Sequence, residues 1–422
     1  MLKLFIVEER VVDMKRVIDI LLLTVLVVFV DVTAMELPNL YSNKVLLYDP
    51  SEEKILYERG IDDVSNIASL TKIMTTITAI DLIEDLDKMV TIDRNVLNEI
   101  PYDASIAGLR EGDRVTLRDL LYASILPSGA DATTALAHNT VGSTKKFVEA
   151  MNEKASSLGL NNTHFANVTG YDIPNHHSTP REVLKILEYA LENPLFDEIY
   201  KTRKYTLSNG LVVKSTLDTY NRYMGLDLTG ILGSKTGYTG DAGMCMSALF
   251  ETGGKELILI TLGAPYSYVT PFNLKDTITI KEYLDKNYSD EVIFEEGKTL
   301  VQIPVVGSKE ESYEIKVSST VRAYVEKERL EADAYFEFDG VATLSYKNEV
   351  GSRLGKIKYY YKDELLMEEE VFLTSALHFS LYKFVKAHVF ELSVVFGIII
   401  ACIFIRRKKK KRRRKKRRVI SR

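Results

Sequence analysis

The feature that most constrains this chain is an apolar segment near its C-terminus that leads directly into a run of basic residues. Residues 389–405 contain one charge, Glu391. A helix of this length spans roughly 25 Å, which is enough to cross the hydrocarbon layer of a membrane. Residues 406–418 are all lysine or arginine, and positive charge beside an apolar span marks the cytoplasmic end. We therefore predict a transmembrane helix over 389–405 and a basic cytoplasmic tail over 406–422.

The rest of the chain is acidic. Removing the basic run and Arg422 changes the formal net charge from −4 to −18. A basic run can also be a solvated tail or a nucleic-acid-binding arm. Its position beside the apolar segment favours contact with anionic lipid, so we predict no nucleic-acid partner.

The N-terminal residues have the pattern of an export signal. Lys15 and Arg16 precede an apolar run over 20–30, and Val32-Thr33-Ala34 is a small-residue cleavage site. We predict a signal peptide over 1–35, with an uncleaved membrane anchor as the alternative. Together with the tail, this predicts a single-pass protein of the cell membrane whose body lies outside the cytoplasm.

Residues 36–288 alternate between strand and helix patterns. Runs at 44–48 and 54–57 predict a hairpin, and runs at 244–250 and 256–262 predict two strands around a Gly-Gly turn. Helical runs lie between these pairs, and a closing helix is predicted over 274–288. This order of elements predicts an α+β layer fold.

From residue 289 the sequence pattern changes from mixed helix and strand to strand alone. Short β-prone runs separated by turns predict a small all-β accessory domain over 289–375, followed by an amphipathic linker over 376–388 that lies on the outer membrane surface. The two cysteines, Cys245 and Cys402, imply no disulfide framework. We interpret both as packing residues.

The chemistry centres on Ser69-Leu70-Thr71-Lys72, at the start of an apolar-periodic run that predicts a helix to about residue 85. Side chains three positions apart share a helix face, so Lys72 could take the hydroxyl proton of Ser69. The pattern is weak by itself, because a serine here can be a simple helix cap. The same spacing recurs at Ser51/Lys54, Ser143/Lys146 and Ser380/Lys383.

Two later motifs strengthen Ser69. Lys235-Thr236-Gly237 occurs once, before a strand, and its lysine and threonine could hold a carboxylate by charge and by hydrogen bond. Ser128 lies between the two motifs, in the loop Leu126-Pro127-Ser128-Gly129. Three such elements in this order match the acyl-transfer signature of penicillin-binding proteins and β-lactamases.

On these motifs, the chain over about residues 37–375 resembles low-molecular-mass penicillin-binding proteins of the D-alanyl-D-alanine carboxypeptidase type. Further matching phrases are Gly108-Leu109-Arg110-Glu111-Gly112-Asp113, Thr163-His164-Phe165-Ala166-Asn167 and His177-Ser178-Thr179-Pro180-Arg181-Glu182. The resemblance implies a β-lactamase/transpeptidase-like domain, which is an antiparallel sheet with helices on both faces and a helical subdomain. It also implies a β-sandwich-like second domain, a peptidoglycan stem peptide as substrate, inhibition by β-lactam antibiotics, and no cofactor.

The resemblance also implies roles for individual residues. Ser69 would attack the carbonyl between two terminal D-alanines, neutral Lys72 would accept its proton, and Ser128 would relay that proton to the leaving amine. The backbone N–H of Tyr238 would join that of Ser69 in an oxyanion hole. Lys235 and Thr236 would hold the terminal carboxylate, and Gly237 and Tyr238 complete the substrate-binding residues that the resemblance implies.

One position departs from the family pattern. Ala130 stands where the middle motif usually has an asparagine that bonds the substrate and the catalytic lysine. This keeps open a weakly active cell-wall-binding protein, and a β-lactamase is the other alternative. No Glu-x-x-Leu-Asn lies between Ser128 and Lys235 to activate a deacylating water. Adjacent His176 and His177 would point apart, so we predict no metal site.

Overall fold

The computed structural model describes residues 35, 37–222, 224–327 and 333–420, without the side chains of 411–420. The predicted signal peptide therefore lies outside the described residues, apart from Met35. The described chain divides into two compact units, with the boundary between Tyr288 and Ser289.

The strands of the first unit are β1 (Lys44–Asp49), β2 (Lys54–Arg59), β3 (Met89–Thr91), β4 (Arg114–Thr116), β5 (Lys204–Thr206), β6 (Val212–Lys214), β7 (Ile231–Thr239), β8 (Gly243–Thr252) and β9 (Lys255–Ala264). Five of them form the main antiparallel sheet, in the order β2-β1-β9-β8-β7, and β3–β4 and β5–β6 form two small separate sheets. The two predicted hairpins, β1–β2 and β8–β9, are confirmed as antiparallel pairs. Successive residues of β8 are buried, as expected of a strand covered on both faces.

Helices surround this sheet and form a second layer. They are α1 (Thr71–Leu82), α2 (Arg94–Asn98), α3 (Leu117–Ile125), α4 (Ala130–Val141), α5 (Thr144–Ser157), α6 (Pro180–Leu191), α7 (Pro194–Lys201), α8 (Thr216–Asn221) and α9 (Phe272–Asn287). Helix α1 is central, because its first nine residues are all buried. The α+β prediction is thus confirmed.

The start of α1 differs from the sequence prediction. Ser69 lies in a short 3-10 turn over Ala68–Leu70, and the α-helix begins only at Thr71. Ala68 has a φ of 47°, in the left-handed region, and a single residue in that region cannot continue a right-handed helix. The nucleophile candidate therefore lies on a tight turn ahead of the helix.

The second unit contains the predicted all-β region. Its strands are β10 (Tyr288–Phe294), β11 (Thr299–Val306), β12 (Ser312–Lys316), β13 (Val321–Glu326), β14 (Ala334–Gly340), β15 (Leu344–Ser345), β16 (Arg353–Tyr361) and β17 (Glu364–Phe372). They pack around buried side chains that include Ile303, Ile357 and Tyr359. The sequence did not predict β14, because its outward-facing residues include Glu337 and Asp339, which lowered the apparent β propensity.

Two helices follow, α10 (Leu381–Ala387) and α11 (Val389–Ile420). Residues Val389–Lys410 are long and apolar enough to cross a membrane, and their side chains are not buried within the protein. The predicted apolar helix is therefore present, and it extends beyond residue 405. Preceding it, α10 is tied to the β domain by a hydrogen bond of 2.8 Å from the Ser380 N–H to the Gly307 carbonyl.

Candidate active site

The turn that carries Ser69 is held in a strained backbone conformation. A non-glycine residue with positive φ, such as Ala68, costs on the order of 1–3 kcal/mol and persists only where the surrounding structure enforces it. Here Gly170 packs directly against it, since a Cβ at Gly170 would collide with the Ala68 carbonyl. Gly170 has a φ of 85°, so glycine is required there for both space and conformation.

Lys72 lies next to Ser69 in the core of the site. Its Nζ is 2.8 Å from Ser69 Oγ and 2.7 Å from the Thr169 carbonyl oxygen. Burial lowers the pKa of Lys72 to about 7, an effect that the negative charge of Asp131 partly opposes. A large fraction of the lysine is thus neutral near neutral pH, as a proton acceptor must be.

The loop that supplies the Thr169 carbonyl is fixed by Asn167. Its Oδ1 accepts hydrogen bonds from the backbone N–H groups of Thr169, Gly170 and Tyr171. One side chain therefore holds the segment that contacts both Lys72 and the turn before Ser69. Asn167 is one of the residues that carry the family resemblance in the sequence. The contact of Thr169 was not predicted, because a backbone carbonyl leaves no signal in the residue type.

Ser128 sits at a second strained position, with a φ of 62°, just before α4. Its Oγ accepts a hydrogen bond of 2.8 Å from Lys235 Nζ. Lys235 is completely buried, and its Nζ also donates to the Thr236 carbonyl at 2.6 Å. Burial, followed by the nearby charge of Lys72, lowers the pKa of Lys235 well below its usual value. Lys235 therefore lies behind Ser128 and contacts it directly.

The residues after Ser128 make buried structural contacts. Ala130 is completely buried, and its N–H donates a hydrogen bond of 2.7 Å to the Ser105 carbonyl. The Asp131 carboxylate accepts backbone N–H bonds of 2.8 to 3.0 Å from residues 107–109. Asp131 is therefore engaged by this loop and is poorly placed to replace the missing asparagine side chain.

Strand β7 forms one edge of the sheet and passes close to Ser69. A Cβ at Gly237 would lie 2.8 Å from the Ser69 nitrogen and 3.0 Å from the Ala68 Cβ. Only glycine allows the strand to come this close to the Ser69 turn. As a result, the backbone of Ser69 and the backbone of the Gly237–Tyr238 segment lie side by side in the cleft. The Tyr238 ring is 41% exposed and stacks on Tyr266 with ring centroids 4.3 Å apart.

Helix α8 contributes two hydroxyl groups that sequence analysis missed. Thr236 Oγ1 donates to Thr216 Oγ1 at 2.7 Å, and Tyr220 lines the same cleft. Thr236 therefore belongs to a group of hydroxyl-bearing side chains on one side of the cleft. The sequence signal was the hydroxyl-bearing stretch Ser215-Thr216, which resembles an ordinary helix start.

These side chains converge on one cleft of about 670 Å³. Among the predicted site residues, Ser69, Lys72, Ser128, Thr236, Gly237 and Tyr238 line it, whereas Lys235 reaches it through Ser128. His176 lies outside this cleft, with Nε2 2.7 Å from Thr71 Oγ1, and burial lowers its pKa to about 4. Within the described ranges, no group of three or more His, Cys, Asp or Glu residues is placed to hold a metal.

An α+β fold that places a serine beside a buried lysine is typical of serine hydrolases that use lysine in place of histidine. Residues 31–266 match the profile of peptidase family S11, described as D-alanyl-D-alanine carboxypeptidase. The chain belongs to this family and is a serine hydrolase.

Individual relatives agree with this assignment. The chain is 27% identical to the D-alanyl-D-alanine carboxypeptidase DacF of Bacillus subtilis over 335 residues, which cover 78% of this chain and 84% of DacF. It is 36% identical to the D-alanyl-D-alanine carboxypeptidase of Streptomyces sp. strain K15 over 215 residues, 48% of this chain and 74% of that protein. The structure of penicillin-binding protein 5 from Haemophilus influenzae matches with a TM-score of 0.58 at 23% identity, covering 82% of this chain and 99% of that one. This last likeness concerns the fold.

Proposed function

We propose that this protein removes the terminal D-alanine from peptidoglycan stem pentapeptides through an acyl-enzyme on Ser69. The observation that carries the proposal is the contact of 2.8 Å between Ser69 Oγ and a lysine whose burial lowers its pKa to about 7. A serine is a weak nucleophile at its own pKa, and a neutral amine at hydrogen-bond distance can activate it.

In the first half-reaction, Ser69 Oγ attacks the carbonyl carbon of the penultimate D-alanine while its proton passes to Lys72. The developing oxyanion is stabilised by the backbone N–H groups of Ser69 and Tyr238. The carbon–nitrogen bond then breaks, and the proton travels through Ser128 to the leaving amine, which departs as D-alanine. Lys235 holds the Ser128 hydroxyl in place.

In the second half-reaction, water attacks the acyl carbon and gives a proton to Lys72. The bond between the acyl carbon and Ser69 Oγ then breaks, Lys72 returns the proton to Ser69 Oγ, and the shortened peptide leaves as a free acid. Thr236 and Gly237 face the part of the cleft that would hold the substrate carboxylate. A β-lactam would acylate Ser69 in the same way, because its strained amide occupies the position of the scissile bond. Release would then be slow, since the ring-opened leaving group stays attached.

Labelled penicillin tests the acyl-enzyme. We expect the full chain in detergent to form a persistent adduct that Ser69→Ala abolishes and the control Ser143→Ala retains, since Ser143 shares the Ser-x-x-Lys spacing but caps α5. Release of D-alanine from a pentapeptide stem should follow the same pattern. An adduct on Ser69→Ala would overturn the assignment of the nucleophile.

The second candidate is a penicillin-binding protein of low turnover, which Ala130 favours. Loss of a buried hydrogen-bonding partner costs about 1–3 kcal/mol of positioning. A stable adduct without measurable release of D-alanine would support this candidate. Rapid loss of the adduct with hydrolysis of the drug would instead support a β-lactamase.

We further propose that the enzyme is anchored by the apolar C-terminal helix, with its body outside and residues 406–422 in the cytoplasm. The basic run supports this orientation. Protease added to intact protoplasts should remove the body and spare an epitope attached after residue 422. Loss of the epitope with a protected body would reverse the topology.

A further inference from the structure

We infer that Thr216 and Tyr220, both on α8, complete the site that binds the terminal carboxylate of the substrate. With Thr236 they form a trio of hydroxyl groups, so the carboxylate is recognised by hydrogen bonds and without a direct ion pair to Lys235. This inference rests on the proposed function and names the groups that select the substrate's free carboxyl end.

Two of the three hydroxyls are already in contact. Thr216 Oγ1 lies 2.7 Å from Thr236 Oγ1, and Tyr220, one helical turn after Thr216, lines the same cleft. Thr216, Tyr220 and Thr236 all line the cleft that contains Ser69. Thr236 is nearly buried, whereas Thr216 and Tyr220 are half-buried, so the trio forms a pocket wall that is open on the cleft side.

Lys235 is poorly placed to bind the carboxylate itself. It is completely buried, and its Nζ is occupied by Ser128 Oγ and the Thr236 carbonyl. Among the described residues that line the cleft, Lys72 is the only lysine or arginine, and its Nζ is engaged with Ser69 and the Thr169 carbonyl. The carboxylate must therefore find its partners among neutral donors.

Hydroxyl groups suit this task because each can rotate its hydrogen. Without substrate, the Thr236 hydroxyl donates its hydrogen bond to the Thr216 hydroxyl. A carboxylate accepts several hydrogen bonds on its two oxygens, so the same three hydroxyls can turn toward it. Hydrogen bonds to a charged acceptor are stronger than those between neutral groups, which favours this rearrangement.

The fold holds α8 in place for this role. The Thr216 N–H donates a hydrogen bond of 2.9 Å to the Leu126 carbonyl, which belongs to the loop that carries Ser128. The helix start is fixed by Ser215, whose side chain accepts from the Leu217 N–H at 3.3 Å. The carboxylate site and the proton relay are therefore joined through one short loop.

The test compares two substrates and two variants of the full chain in detergent. One substrate is a peptide ending in D-alanyl-D-alanine with a free carboxylate, and the other is an N-acyl-D-alanyl methyl thioester, which acylates Ser69 without offering a carboxylate. We expect Thr216→Val and Tyr220→Phe each to lower kcat/KM for the peptide by about 10-fold or more. The thioester rate should stay within about 2-fold.

Thr219→Val is the matched control, because Thr219 is exposed on the same helix, and it should change neither rate. Equal losses on both substrates would show a structural effect and overturn the inference, as would unchanged rates on both. Failure of the proposed function appears differently, as a wild-type protein inert toward both substrates.

A binding measurement tests the inference even if the wild-type protein is inert toward both substrates. Calorimetry with acetyl-D-alanyl-D-alanine and with its C-terminal amide needs no turnover. The inference expects the wild type to prefer the free acid by about 10-fold or more and Thr216→Val to lose most of this preference. Equal affinity of the wild type for acid and amide would overturn it.

Discussion

The side-chain nitrogen of Lys72 lies 2.8 Å from the hydroxyl oxygen of Ser69, at a position where the lysine is only 2% exposed. The contact and the burial act together. The first gives the proton a path, and the second lowers the pKa of the amine to about 7 so that it can receive the proton. The pair Ser143 and Lys146 has the same spacing, but Lys146 is exposed and lacks this burial.

The pKa of Lys72 predicts how acylation depends on pH. In the proposed mechanism the neutral amine is the active form, so the rate of acylation by penicillin should rise with pH, with a midpoint near 7, and level off above it. Lys72→Arg should lower the rate by about 100-fold or more at every pH, because a guanidinium stays protonated. Stopped-flow acylation measures both effects. Lys146→Arg serves as the control, and a rate that falls as pH rises from 6 to 8 would exclude Lys72 as the base.

Asp131 should tune this profile through its charge. Its carboxylate raises the pKa of Lys72 against the stronger effect of burial. Asp131→Asn should therefore move the midpoint of the acylation profile to lower pH, since the amine then loses its proton more easily. The variant should also lose about 1–3 kcal/mol of unfolding free energy in urea, because the backbone N–H groups of residues 107–109 bind a weaker acceptor.

The control for Asp131→Asn is Asp113→Asn, whose carboxylate accepts from an exposed backbone N–H at Arg110. It should leave the pH profile in place. A midpoint that moves to higher pH in Asp131→Asn would contradict the electrostatic account.

Gly237 should tolerate no side chain. A methyl group there would press on the Ser69 nitrogen and the Ala68 Cβ, and a displacement of the nucleophile by about 1 Å can cost about 100-fold in rate. Gly237→Ala should thus impair acylation severely. Gly240→Ala is the matched control, because its Cβ would meet open space. Similar acylation rates for the two variants, measured with labelled penicillin, would show that the close approach is unimportant.

Ala130 is the position where we expect a gain. In the family pattern an asparagine here bonds the substrate and the lysine, and Asp131 is held by the 107–109 loop. Ala130→Asn should raise kcat/KM for release of D-alanine by about 10-fold, the equivalent of one recovered hydrogen bond. The site is completely buried, so a thermal melt must accompany the kinetics. An intact melt with no gain in rate would show that the asparagine is dispensable.

Much of the fold was predictable because local patterns and tertiary structure agree. The β8–β9 hairpin has a Gly-Gly turn and long apolar runs, and both strands lie within a few residues of their predicted bounds. The start of α1 was not predictable to the residue. Its 3-10 turn and the positive φ of Ala68 are imposed by Gly170, which is far away in sequence.

The site was predictable where residue type carries the chemistry. Ser69, Lys72 and Ser128 were found from motifs, and the structure brings them to one cleft. Thr216 and Tyr220 were not predicted, because a hydroxyl on a short helix has many ordinary uses. Only the structure shows that Thr216 contacts Thr236 and that both residues line the cleft. The burial of Lys235 also depends on packing, which sequence spacing does not report.

The left-handed turn at Ala68 sets a limit on engineering this protein for heat resistance. Replacing a non-glycine residue at positive φ by glycine is a common route to stabilisation when that conformation is strained. Here the same replacement would loosen the backbone that aims Ser69. Ala68→Gly would thus be accepted in a selection for a higher melting temperature and rejected in a selection for activity.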